Sequence, residues 1–232
     1  MRTATTITTA TSRTNMNDYV RDPAEITRLS FAAIRREADL SALPEDVVPM
    51  ALRMIHACGM VDVPADLAFS KGAGAAGRAA LAAGAPILTD VNMVAHGIAA
   101  RRLPAANKVI CLLYEAGVPD RARASGMTRS AAAVELWRPM LAGAVVAIGN
   151  APTALFRLLE LLAEQAARPA LVIATPPGFI GAKESKEALI ANAFGVPYLA
   201  LCGRRGGSAL AAAAVNALAI EEELAWSTPL PG

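Results

Sequence analysis

A chain of 232 residues is long enough for one α/β domain with a sizeable core. Its 22 basic and 20 acidic side chains nearly balance, which excludes the broad positive footprint of non-specific nucleic-acid binding. The composition is 54% hydrophobic, but 53 alanines supply much of that, and no run approaches the roughly 18 apolar residues of a membrane span, so the chain reads as soluble.

Cys58, Cys111 and Cys202 are odd in number, far apart and free of any C-x-x-C pair. They indicate neither a disulfide framework nor a zinc site and fit a reducing compartment, the cytoplasm. Seven threonines fall in the first fourteen positions, with no acid and no apolar segment of a secretory signal, so residues 1–18 are expected to be a disordered extension. A transit peptide, also basic and hydroxyl-rich, is the alternative there.

The domain is expected over residues 19–222. Asp22-Pro23 begins a helix that runs to Ala38, with Asp22 as N-cap and proline at the first helical position. A second helix is predicted from Pro44 to Cys58, closed by Gly59, with Pro49 blurring its start. Beyond it, short apolar runs alternate with alanine-rich helical stretches, the pattern of repeated βαβ units. Strands are predicted at Leu67–Ser70, Pro86–Thr89, Lys108–Leu113, Ala144–Gly149, Ala170–Ala174 and Tyr198–Cys202. Helices are predicted at Gly77–Ala83, Val91–His96, Ser130–Leu141, Pro152–Gln165, Lys183–Ala193 and Gly207–Ala219, with a loose tail over residues 223–232. The economical fold is α/β, a single doubly wound domain whose mainly parallel sheet is flanked by helices.

Ligands of open parallel sheets bind beyond the carboxyl ends of the strands. Three such loops stand out: Asn150-Ala151-Pro152-Thr153, Pro176 through Lys183, and Gly203-Arg204-Arg205-Gly206-Gly207-Ser208. Each can turn helix N-terminal amides toward an anion, and the last adds arginine. Together they suit a ligand with several carboxylates, although glycine and proline also make such turns for their own sake. His56 closes the second helix with Arg53 one turn earlier, and the helix C-terminus should favour its imidazolium. His96 has the same helix-end setting, so position alone does not choose between them. Thr128 or Ser130 can cap the helix that follows, with Arg129 beside its free amides.

Gly72-Ala73-Gly74-Ala75-Ala76-Gly77 matches G-x-G-x-x-G after a predicted strand, and Asp90 follows eighteen residues after Gly72, so a dinucleotide site is a competing reading. The signatures G-x-x-x-x-G-K-[ST], H-E-x-x-H and G-x-S-x-G are absent from the sequence.

The ordered blocks Tyr19–Pro23, Ser30-Phe31, Arg53–Gly59, Gly84–Asp90, Met93–Gly97, Thr128–Ala133, Gly149–Leu155, Gly178–Lys186 and Gly203–Ser208 resemble the precorrin-8X methylmutases of cobalamin biosynthesis. The resemblance covers about residues 19–219. It implies an isomerase that moves a methyl group from C-11 to C-12 of precorrin-8X to give hydrogenobyrinate, with no S-adenosylmethionine or other cofactor and no metal. It also implies a homodimer, places the family's proton-donating histidine on His56, and puts Ser30, Arg53 and Arg129 near the substrate. Asn150 and Arg204, from the strand-end loops, are expected to join them. The glycines at 72–77 lie outside the resembling blocks. A carrier that binds the corrin without turnover is the remaining alternative class.

Overall fold

The computed structural model describes residues 19–191 and 194–219, so the expected extension and tail lie outside the described residues. Helix α1 (Pro23–Glu37) starts as its sequence dictates, with the Asp22 carboxylate accepting the Glu25 amide at 2.7 Å. Helix α2 (Val48–Cys58) starts four residues later than predicted. Residues 44–47 form a turn, and Pro49 sits in the first helical turn, where its missing N–H is no loss. Gly59, at φ 70°, closes α2 in the left-handed conformation by donating to the Ile55 carbonyl.

All six predicted strands are present: β1 (Leu67–Phe69), β2 (Ile87–Thr89), β3 (Val109–Cys111), β4 (Val145–Ile148), β5 (Leu171–Ala174) and β6 (Tyr198–Leu201). They form one sheet in the order β1-β6-β5-β4-β2-β3, parallel except for β1, which runs antiparallel to β6 at the edge. The remaining helices are α3 (Ala73–Ala82), α4 (Asn92–Gly97), α5 (Val118–Ser125), α6 (Arg129–Val134), α7 (Pro152–Ala163), α8 (Ala182–Ile190) and α9 (Ser208–Leu218). Helix α5 was not anticipated, because its sequence VPDRARAS has too few apolar positions to show a period. Helix α6 is shorter than predicted, because the chain tightens into a 3-10 segment, Glu135–Met140, that contains Pro139.

Alternate strand residues feed two cores, as a sheet covered on both faces requires. Val145, Ala147, Leu171, Ile173, Leu199 and Leu201 face helices α1, α2, α3, α4 and α9. Val146, Ile148, Val172, Ala174 and Ala200 face Trp137, α7 and α8. The alanines of α9 let α2 and α4 approach closely; a Cβ on Gly97 would stand 2.7 Å from that of Ala212. The chain proceeds from β2 to β3 on one side, then returns to β4, β5 and β6 on the other. The winding therefore reverses between β2 and β4, which fixes the topological switch point.

Candidate active site

The segments that follow the five parallel strands meet at one end of the sheet. Because β1 is antiparallel, the chain leading into it from α2 reaches the same end: the Cys202 amide donates to the Asp66 carbonyl at 2.8 Å. His56 is thereby carried to the ligand-binding side of the fold.

His56 is held on two sides. Its ring stacks on Phe31 at 5.0 Å between centroids and 8° between planes, and its Nδ1 lies 2.9 Å from the Ser30 hydroxyl. Ser30 and Phe31 are adjacent on α1, so a single turn of that helix supplies both contacts. The Arg53 guanidinium stands 5.8 Å over the other side chain of the stack, Phe31. The Ser30 contact engages Nδ1 and not Nε2, and His56 as a whole is exposed. Helix-end position leads one to expect a raised imidazole pKa, but burial, and then the Arg53 charge, lower it. Burial likewise lowers the pKa of Arg53, helped by neighbouring Arg102.

The strand-end segments display large apolar side chains in water: Met93 after β2 (73% exposed), Tyr114 after β3 (67%), and Phe179 and Ile180 after β5 (80% and 89%). Two of the rings lie beneath arginines. Arg129 stands 5.7 Å over Tyr114, and Arg204 stands 5.2 Å over Phe179. Cation beside exposed ring, twice at one end of a sheet, suits a flat apolar ligand with acids on its rim.

Adjacent Arg204 and Arg205 have separate roles, which the sequence could not show. Arg205 makes ion pairs with Asp62 (2.8 Å) and Asp66 (3.0 Å), and its Nη2 lies 3.0 Å from the Met60 sulfur. It thus fastens the β6–α9 loop to the segment just after His56, while Arg204 points outward. Beneath that loop the fully buried Lys186 donates from Nζ to the Arg205 carbonyl at 2.9 Å. The Gly178 amide donates to the Arg204 carbonyl and the Gly207 amide to that of Thr175, which join the β5–α8 and β6–α9 loops.

The loop at Asn150 differs from expectation. Its amides do face an anion, but that anion is the protein's own Asp90, which accepts from Gly149, Asn150 and Ala151 at 3.0, 2.9 and 2.7 Å. Asn150 offers only its exposed side chain. Burial raises the Asp90 pKa, partly offset by the three amides. The Gly72–Gly77 stretch is not a phosphate cradle. It enters α3, the Ala75 amide is taken by Asp46 Oδ2 at 3.1 Å, and a Cβ on Gly74 would collide with the Asp46 carbonyl at 1.8 Å. The strand before it is the antiparallel edge strand, so the parallel βαβ unit of a dinucleotide site is missing. His96, at the end of α4, is exposed, and the ring and hydroxyl contacts of Phe31 and Ser30 are made to His56. Among the described residues no group of His, Cys, Asp and Glu could hold a metal ion, and no helix is long and apolar enough to cross a membrane.

Fold and site together define an α/β enzyme with one held imidazole and a rim of arginines over aromatic rings. The precorrin-8X methylmutase family model matches residues 25–221, and the chain belongs to that family. It is 63% identical over 208 residues to the precorrin-8X methylmutase of Pseudomonas aeruginosa, covering 90% of this chain and 100% of the relative. It is 32% identical over 196 residues to the cobalt-precorrin-8 methylmutase of Leptospira interrogans, covering 82% and 89%. The crystal structure of the Thermus thermophilus precorrin-8X methylmutase superposes with a TM-score of 0.76 at 40% identity, covering 84% of this chain and 95% of that one. The chain is an isomerase of cobalamin biosynthesis, a methylmutase acting on precorrin-8X.

Proposed function

We propose that His56 is the proton donor of the methyl shift from C-11 to C-12, acting from Nε2 on the conjugated macrocycle. The observation that supports this most is the fixed imidazole. With Nδ1 engaged by Ser30 and one ring face covered by Phe31, only Nε2 is presented to a ligand at the strand ends. In the charged form, Nδ1–H donates to the Ser30 oxygen and Nε2–H is available to the substrate. Arg53, Arg129 and Arg204 hold peripheral carboxylates, with Asn150 as a neutral partner, and so fix one reactive geometry before the proton moves.

An anionic substrate also acts against part of the lowered imidazole pKa. A carboxylate paired with Arg53 offsets the second cause of the lowering, the Arg53 charge, and so favours imidazolium when the substrate is in place, while burial still opposes it. The metal-free substrate is the natural one on this reading, because relatives 63% and 54% identical carry its name whereas relatives named for the cobalt form are 32% to 42% identical. The working form is a cytoplasmic homodimer, which sedimentation of the purified chain at twice the monomer mass would support.

The test is the absorbance spectrum of precorrin-8X mixed with the protein, followed over time beside H56A. The wild-type mixture should pass to the hydrogenobyrinate spectrum over many turnovers. The variant should bind the substrate and convert it about a hundred-fold or more slowly, the usual share of a positioned proton donor. Equal rates for H56A and wild type would remove His56 from the chemistry, and a bound, unchanged spectrum in both would point to the cobalt substrate or to a carrier.

A further inference from the structure

Asp90 is 2% exposed and follows β2, one of the two strands that flank the switch point, yet its carboxylate reaches across to the loop after the other, β4. There it occupies the crevice where an open sheet takes a ligand, held by three successive amides, those of Gly149, Asn150 and Ala151, in the loop that leads into the twelve-residue helix α7. Ala151 is the N-cap and makes no side-chain cap, and Asp90 instead holds the N-cap residue and the two residues before it from another segment. The loop is pinned on its other side by packing. A Cβ on Gly149 would meet Val94 Cγ2 at 2.7 Å, Ser208 Cα at 2.8 Å and Ala211 Cβ at 2.9 Å.

From this anchor a short series of contacts leads to the rim. Thr153, in the first turn of α7, has its hydroxyl 2.7 Å from that of Thr128. Thr128 caps α6 by accepting the Ala131 amide at 3.2 Å, and the next residue is Arg129, over Tyr114. The position of Arg129 therefore depends on where α7 begins, and α7 begins where Asp90 holds it.

We infer that Asp90 is a positioning residue for the methylmutase reaction: an internal anion that fills the switch-point amide site and sets the wall carrying Asn150 and Arg129. By filling that site it denies the backbone amides to the substrate, whose carboxylates are then met by side chains, those of the arginines and Asn150. The inference rests on the reading of Arg129 as a substrate contact. It assigns Asp90 no contact with substrate and no part in the proton transfer at His56.

Three variants, D90A, D90N and R129M, would be assayed with precorrin-8X alongside wild type, with formate as the probe for the vacated carboxylate place. For D90A the expected result is a KM raised about tenfold or more, the scale of loss that misplacing a binding group by about an ångström produces. Its kcat should stay within a few-fold of wild type. Formate should lower the raised KM of D90A and leave wild type and R129M unchanged, because only D90A exposes three amides to a small carboxylate. A plain loss of stability would not respond to formate in this way. D90N keeps the shape with one accepting oxygen and should show a smaller rise in KM; if D90A does not fold, D90N carries the test. The inference is overturned if the folded variant has the wild-type KM, or if formate leaves the raised KM of D90A where it was. Should R129M raise KM while D90A does not, this inference alone falls; should neither change KM, the reading of the Arg129 wall falls with it.

Discussion

The two halves of the candidate site are built in opposite ways. His56, on α2, is fixed by direct side-chain contacts from helix α1, ring on ring and hydroxyl on Nδ1, with the Arg53 guanidinium over the Phe31 ring. The strand-end rim presents Arg129 and Arg204 on exposed aromatic rings, and what fixes them lies one layer below, in loop amides and buried charges. The contrast follows from what each half must do. A proton donor needs one orientation and a tuned pKa, which demand close contacts and partial burial. Groups that capture a polyanion must stay hydrated and reachable until it arrives, so their order is supplied from behind.

The comparison would be broken most decisively at the rim. Removing both cations in R129M/R204M should raise KM for precorrin-8X about a hundred-fold or more. Each charge-assisted contact contributes roughly 1.5 to 3 kcal/mol, and tenfold in affinity is about 1.4 kcal/mol. The rate at saturation should change far less, and steady-state kinetics over a wide substrate range would show the split; a fall in kcat with unchanged KM would place the arginines in the chemistry instead. At the other half the pattern should reverse. S30A, which frees Nδ1, should lower kcat about tenfold with KM nearly unchanged, as expected for an acid that keeps its place but loses its orientation. R53Q sharpens the same half through pH. The activity of an imidazolium donor falls as pH rises through its pKa, and that pKa is held down by burial first and by Arg53 second. Removing the Arg53 charge should therefore move the falling limb of the kcat/KM profile to higher pH, with burial still holding it below the ordinary imidazole position. A limb that stays in place would mean that another group, not His56, titrates there.

The same division explains what could be read from the sequence. Strands and the site's polar blocks were legible because apolar runs such as Val145–Ile148 and capping pairs such as Asp22-Pro23 are local signals. His56 and Ser30 could be named, through the family resemblance, but not their contact, which depends on the packing of α1 against α2. The rim was legible as glycine-rich loops and arginines, whereas the assignment of Arg205 to Asp62 and Asp66 and of Arg204 to the outside was not. Adjacent arginines look alike until a tertiary partner 139 to 143 residues away distinguishes them. Asp90 was visible only as the acid of a dinucleotide pattern and as the end of the resembling block Gly84–Asp90. Its real partners are amides 59 to 61 residues away, and backbone donors leave no trace in residue identity. The antiparallel β1 was likewise invisible, since a three-residue run carries no direction.

The smallest expected effect concerns the layer beneath the rim and is read in stability. Lys186 is fully buried, and burial lowers its pKa to about 8, against 10.5 for the exposed side chain. Below pH 8 the folded protein must hold a buried ammonium that the unfolded chain holds in water, which costs stability. Between pH 8 and 10.5 the unfolded chain binds the proton more tightly than the folded one, so this group's penalty is relieved as pH rises through that window. At 1.36 kcal/mol per pKa unit the full change is at most about 3 kcal/mol, and the hydrogen bond to the Arg205 carbonyl, kept by the neutral amine, reduces what the charge itself contributes. Urea unfolding of wild type and K186M at pH 7 and pH 9.5 isolates the effect, because cysteine and tyrosine titrations are common to both proteins and the lost hydrogen bond is lost at both pH values. The stability of K186M relative to wild type should be higher at pH 7 than at pH 9.5, by about 1 to 2 kcal/mol. An equal difference at the two pH values would show that Lys186 titrates as an exposed lysine does, and that its ammonium sits beneath the Arg204 loop at both pH values without a burial penalty.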